Sequence, residues 1–224
     1  MGNGLSAWDP AEIAGNRMLV DREKFLREVK TGDMILFQGD GCASCLIRCM
    51  SVCHTWSHVG MVVARGGMKM ITEANDDVIG RDVLRDDEHV GVQFVDLEKR
   101  LDEYDSHRIA YRRYTGRPVD ENKVKDLLER YIALDDDSVP LYNKDLVDFL
   151  EYGTATDDDD NVRFGKKYYV CTSWFACLLI FFDIVPPDVR PGNYPLSSFG
   201  LTFEHGPFAD PPMADYGELE YIMF

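Results

Sequence analysis

The chain has 224 residues, of which 45% are hydrophobic and 12% aromatic, which is enough to bury a core and excludes a globally disordered protein. Its formal net charge of −16 excludes a nucleic-acid-binding surface, because phosphate binding needs clustered Lys and Arg. No run approaches the roughly 20 apolar residues of a membrane-spanning helix. Six cysteines without a recognisable secretory signal predict free thiols in a reducing compartment.

The first six residues, MGNGLS, match the N-myristoylation pattern, with Gly2 as the acceptor and Ser6 at the required position. One myristoyl chain gives weak, reversible membrane binding, and no Lys or Arg precedes Arg17 to strengthen it. The pattern predicts peripheral contact with the cytoplasmic side of a membrane, in a eukaryotic cell or a virus of one. A chance match of this short pattern is the alternative.

The remaining chain predicts one α+β domain over residues 19–205, between an arm (1–18) and a C-terminal tail (206–224). Residues 135–165 read as an acidic insertion, a solvated loop or a lid over a site. Four helices are predicted: one that begins at Asp21, one over 41–53, one that contains Val124–Tyr131 and one that begins at Cys171. The predicted strands are 34–37, 57–63, 68–74, 90–95 and 108–114.

Two of these strands form a predicted hairpin that carries a histidine and a glutamate. If residues 64–67 make the loop, Val63 pairs with Met68, and His58 then faces Glu73. Opposed side chains on one sheet face have Cβ atoms about 4.5–5.5 Å apart, so the Glu73 carboxylate is expected to accept a hydrogen bond from the His58 imidazole. A carboxylate in that position orients a histidine base. An ordinary surface ion pair is the alternative.

Cys171 follows a short β-prone run and opens the most apolar predicted helix of the chain. A thiol at a helix N-terminus lies at the positive end of the helix dipole, which favours the thiolate. The free backbone N–H groups of that turn are also suited to bind an oxyanion. A buried structural thiol is the alternative for Cys171, and it is the preferred interpretation of Cys177 in the middle of the same helix.

Three segments together resemble a known family: residues 30–37 (KTGDMILF), 56–63 (WSHVGMVV) and 169–173 (YVCTS). The order, with the histidine strand before the cysteine helix, is similar to the circularly permuted NlpC-like branch of the papain-like hydrolases. That branch has bacterial, poxviral and large-DNA-virus members and a more distant lecithin retinol acyltransferase group. The resemblance covers roughly residues 20–185. Many relatives carry a glutamate two residues after the cysteine, where this chain has Ser173.

The resemblance implies an antiparallel sheet or half-barrel packed against the helix that bears Cys171. It also implies a peptidase- or amidase-type cysteine hydrolase with an acyl-enzyme and no metal or other cofactor, acting on a peptide, amide or acyl-lipid substrate. In that mechanism Cys171 attacks, His58 carries the proton and Glu73 orients His58, while Tyr169 lines the pocket or joins the core. A lipid-directed acylhydrolase or acyltransferase stays open, as does a catalytically idle, membrane-tethered interaction protein.

Two other features compete with this triad. His205 follows Cys171, as in unpermuted papain-like enzymes, but it lies in a Gly- and Pro-rich segment and ranks second as a base. A stripe of four cysteines on one predicted helix spans about 16 Å, too far for one tetrahedral metal ion unless the helix is broken. These cysteines are expected to pack as small hydrophobes. They are Cys42, Cys45, Cys49 and Cys53.

Overall fold

A computed structural model describes residues 18–38, 56–103, 109–142, 168–185 and 215–224. These ranges contain four α-helices and nine strands. The helices are α1 (Arg22–Glu28), α2 (Leu97–Glu103), α3 (Glu121–Ile132) and α4 (Cys171–Phe181). The strands are β1 (Met18–Asp21), β2 (Met34–Phe37), β3 (His58–Arg65), β4 (Met68–Asn75), β5 (Gly91–Asp96), β6 (Ile109–Tyr114), β7 (Leu141–Tyr142), β8 (Tyr168–Tyr169) and β9 (Tyr216–Met223).

Seven strands form one mixed sheet in the order β1-β9-β6-β2-β3-β4-β5, and β7 pairs with β8 in parallel. The expected α+β class is confirmed. Neighbours from β9 to β5 are antiparallel, whereas β1 and β9 are parallel. The implied antiparallel sheet is therefore present from β9 to β5, but the pairing at the β1 edge is parallel, where segments from the two ends of the described chain pair.

Strand β9 lies within residues 206–224, which the sequence suggests to be a surface tail. It is instead an internal strand of the sheet, between β1 and β6. Only Tyr216 and Ile222 of this strand are buried, and Glu218 and Glu220 interrupt its apolar pattern. Its hydrophobic signal is weak because only two of its side chains are buried, although its backbone pairs with both β1 and β6.

The sheet has a hydrophobic core on each face, because side chains alternate along every strand. On one face, β3 residues such as Met61 and Val63 pack with the apolar sides of α3 and α4. On the other face, Val62 and Ile71 pack with Phe25 of α1 and with α2. The helix that begins at Cys171 is thereby held against the centre of the sheet.

The β3–β4 hairpin turns through a two-residue loop, residues 66–67, and not through the predicted four residues. Both loop glycines have positive φ, of 60° and 86°, as a tight type I′ hairpin turn requires. Arg65 consequently pairs with Met68, so the register differs by two residues from the predicted one. A shift of two residues keeps His58 and Glu73 on the same face, but diagonally related and not directly opposed.

The Gly-Asp pair before β2 has a structural role in the turn. Gly32 has a φ of 96°, a conformation that L side chains rarely adopt. The buried Asp33 carboxylate accepts hydrogen bonds from the backbone N–H groups of Lys30 (3.0 Å) and Tyr114 (2.8 Å). Asp33 therefore links the turn to β6. The Gly32-Asp33 pair of the segment 30–37 is thus explained by its structural role alone.

Several expectations lie outside the described residues: the segment around Gly2, the four-cysteine stripe, most of the acidic insertion, and His205. None of the four described helices is long and apolar enough to cross a membrane.

Candidate active site

His58 and Glu73 lie at the open end of the β3–β4 hairpin, beyond the ladder pair formed by Met61 and Thr72. The Nε2–H of His58 donates to Oε2 of Glu73 at 2.6 Å. Because an ionised carboxylate only accepts hydrogen bonds, Nε2 carries the hydrogen. The second ring nitrogen, Nδ1, is then available to a thiol. The structure thus brings these two predicted residues into direct contact.

Glu73 is fully buried and is also held by an arginine that the sequence analysis did not identify. Arg100 of α2 donates from Nε to Oε1 of Glu73 at 2.7 Å and from its terminal nitrogen to Oε2 at 3.0 Å. Burial raises the pKa of Glu73, but the charges of Arg100 and His58, with hydrogen bonds from both, hold that pKa well below its usual range. Glu73 is therefore a carboxylate at neutral pH.

Cys171 is the first residue of α4, as predicted, and its side chain is buried with 4% exposure. The first turn of α4 contains no acidic residue, so no charge there opposes a thiolate. One turn later, Trp174 donates its indole N–H to the Thr72 hydroxyl at 3.0 Å. This bond joins the start of α4 to β4 beside Glu73.

The helix start is closed by Ser173, two residues after Cys171. The Ser173 hydroxyl accepts a hydrogen bond from the Val170 N–H (3.1 Å) and donates one to the Val170 carbonyl (3.0 Å). Ser173 therefore caps its own helix and helps hold Cys171 at the first helical position.

The environment of His58 combines one unfavourable and several favourable effects on its charge. Burial lowers its pKa, but the charges of a Cys171 thiolate and of Glu73, with hydrogen bonds to both, raise that pKa from 6.5 to about 9. The imidazole is thus protonated at neutral pH. Cys171, His58 and Glu73 form a continuous series of contacts, which is the arrangement of a nucleophile, a base and an orienting group.

Two tyrosines lie near the thiol. Tyr142 pairs with Tyr169 across the β7–β8 ladder, two residues before Cys171. Burial and the charge of Cys171 raise the pKa of Tyr142, so its hydroxyl is neutral. Tyr169 is 2% exposed and packs edge-on against Trp174 at 5.3 Å between ring centroids, which places Tyr169 in the core.

The sequence offered a partial signal for Arg100. Leu97 and Leu101, four residues apart, indicate a short helix with one buried side, and both are buried in α2. Arg100 lies next to Leu101 on that helix, but only the tertiary contact with Glu73 assigns it a partner. Among the residues that the structure describes, no group of three or more His, Cys, Asp or Glu side chains is arranged to hold a metal ion.

No protein-family model matches this sequence, and no curated protein matches it. Among solved structures, the chain is similar to the crystal structure of the metalloprotein yiiX (DUF1105) from Escherichia coli O157:H7, with a TM-score of 0.41 and 16% sequence identity. The match covers 68% of this chain and 66% of that protein, just under two thirds of its length. A likeness at this level assigns neither a family nor an activity.

Proposed function

We propose that this protein is a cysteine hydrolase of the peptidase or amidase type, with a permuted papain-like arrangement of its active site. The observation that carries the proposal is the contact of His58 with both Cys171 and Glu73, with Glu73 completely buried. The order of these residues in the chain, histidine first and cysteine last, is the order that the resemblance implies.

The proposed reaction has two steps. The Cys171 thiolate attacks the substrate carbonyl carbon and forms a C–S bond, while negative charge develops on the carbonyl oxygen. The His58 imidazolium then gives its proton to the leaving amine or alcohol, and the C–N or C–O bond breaks. Water attacks the acyl-enzyme, His58 takes the water's proton, and the acid leaves as the C–S bond breaks.

The other groups support this chemistry without reacting. Glu73 keeps the imidazole in one orientation and stabilises its positive charge. The backbone N–H groups at the start of α4 have no partners within the helix and are therefore suited to bind the oxyanion. Cys171 is covalently modified in the proposed cycle, so it is the residue that an acyl probe should label.

The experiment is acyl-enzyme capture on the full chain with a panel of probes: peptidyl, short-chain ester and long-chain acyl electrophiles. Labelling should require Cys171 and His58, and mass spectrometry of the peptide that contains Cys171 should show the acyl increment. Cys177→Ser is the matched control, because that thiol is also buried on the same helix, with 7% exposure. Preference for peptidyl probes supports the proposal, preference for long-chain acyl probes favours lipid substrates, and no Cys171-dependent labelling contradicts turnover.

A further inference from the structure

We propose that Arg100 is a positioning residue for this site: it holds the Glu73 carboxylate ionised and oriented so that Glu73 can support the His58 imidazolium. The inference rests on the proposed function, because it concerns the same triad, but it assigns a role to a residue of a different element, α2. Its basis is the geometry with which three side chains meet at one carboxylate.

The carboxylate is held by two parallel bonds from the guanidinium group, at 2.7 Å and 3.0 Å. Such a two-pronged pair fixes the plane of the carboxylate as well as its position. Oε2 of Glu73 accepts hydrogen bonds from a terminal nitrogen of Arg100 at 3.0 Å and from Nε2 of His58 at 2.6 Å. The arginine therefore determines where the oxygen that holds His58 lies.

Arg100 is itself held in place. Its side chain is 7% exposed, and its guanidinium lies over the Phe37 ring at 5.0 Å from the centroid. Phe37 pairs with His58 across β2 and β3, and the two rings are 5.9 Å apart. The same aromatic ring thus contacts the arginine and the histidine, which keeps Arg100, Glu73 and His58 in one compact cluster.

The charges in this cluster predict how the thiol responds to pH. Arg100 from α2 and His58 from β3 act on the Glu73 carboxylate, and Cys171 from α4 acts on His58. Without the arginine, the buried carboxylate takes up a proton at higher pH. A neutral Glu73 no longer stabilises the His58 imidazolium beside Cys171. Because protonation of Glu73 is most extensive at mildly acidic pH, alkylation of Cys171 should slow most there.

The test measures iodoacetamide alkylation of Cys171 in the full chain at pH 5.5 and pH 8.5, by mass spectrometry. Arg100→Met should lower the ratio of the two rate constants (pH 5.5 over pH 8.5) by about tenfold, the equivalent of roughly one pKa unit. Arg112→Met is the matched control, because Arg112 is equally buried, at 6%, and donates to the Gly217 carbonyl on another part of the sheet. That control should keep the ratio within about twofold of the parent chain.

A parent-like ratio in folded Arg100→Met overturns the proposal. If circular dichroism shows that this variant does not fold, Arg100→Lys decides: it keeps the charge but cannot make both parallel bonds. We expect its alkylation at pH 5.5 to be several-fold slower, and an unchanged rate overturns the positioning role. If Cys171 in the parent chain shows no excess reactivity over Cys177 at pH 5.5, the triad itself is wrong and this inference falls with it.

Discussion

Glu73 extends its side chain over Gly60, and a Cβ built on Gly60 would lie 2.9 Å from Cγ of Glu73. The same Cβ would lie 2.8 Å from Cδ1 of Ile71. Because Gly60 lies between His58 and the rest of β3 on the same face, its missing side chain provides the space through which Glu73 reaches diagonally to His58. The Ser-His-Val-Gly segment is thus explained by geometry: the glycine makes room for the orienting group of the histidine.

Gly60→Ala should therefore displace Glu73 and weaken its hydrogen bond to His58. We expect slower alkylation of Cys171 at mildly acidic pH and a loss of stability on the order of 1–3 kcal/mol, typical of overpacking a core. The measurement is urea unfolding together with the alkylation rate. Gly217→Ala is the control, because a Cβ there meets its nearest atom at 3.6 Å, and this variant should behave like the parent chain.

Cys171 should react with limiting iodoacetamide before Cys177 at mildly acidic pH. Their exposures are similarly small, 4% and 7%, so a difference in rate reports thiolate character and not access. His58→Ala should slow the reaction of Cys171 sharply, and Glu73→Gln should slow it less, since the glutamine still contacts the ring but brings no charge. Equal rates for the two thiols, or no effect of His58→Ala, would exclude a thiolate–imidazolium pair and favour an idle tethered module.

His58 should titrate with a pKa of about 9, above its ordinary 6.5. Since the pKa is raised in the folded state, the stabilisation from its charged form is complete below pH 6.5 and is lost as the pH rises through about 9. NMR of the imidazole protons between pH 5 and 10 measures the pKa directly. In Cys171→Ala the pKa should fall, because the thiolate charge is removed. A pKa near 6.5 in the parent chain is the contrary result.

Asp33 should make the protein less stable as the pH rises from acidic to neutral. Burial raises its pKa from 3.8 to about 6, although hydrogen bonds from Lys30 and Tyr114 oppose the shift. The folded state therefore binds this proton more tightly than the unfolded state does. The resulting stabilisation is complete below pH 3.8 and is lost as the pH rises through about 6; it amounts to at most about 3 kcal/mol. Asp33→Asn should flatten the dependence of the unfolding free energy on pH over this range. Parallel curves for the two proteins would contradict the assignment.

Gly2 should carry a myristoyl group when the protein is made in a eukaryotic host. Intact-protein mass spectrometry should show the myristoyl increment, and Gly2→Ala should abolish it. Binding to lipid vesicles should be weak and reversed by dilution, because no basic residue before Arg17 assists the single chain. A retained Met1 or an unmodified Gly2 would refute the prediction.

Local patterns in the sequence predicted the elements that carry the candidate site. The bounds of β2 and the start of α4 at Cys171 match the structure, because apolar alternation and helix-start position are properties of short segments. The alternation of side chains along each strand also predicted correctly that His58 and Glu73 share a face of the sheet. The hairpin register was wrong by two residues, since a tight two-glycine loop and a longer loop leave the same alternation pattern.

Two features depended on the tertiary structure alone: the β9 strand inside the sheet and the Arg100–Glu73 pair. The contact of Cys171 with His58 was implied only by the resemblance, and no local pattern in the sequence predicts it. The sequence by itself determined which side chains are available and on which face of each element they lie. Whether they meet depends on segments far apart in the chain, such as α2 and β4 or α4 and β3. How these segments pack depends on which side chains are buried together and which buried charges are paired. Neither effect leaves a periodic pattern in a single segment of the sequence.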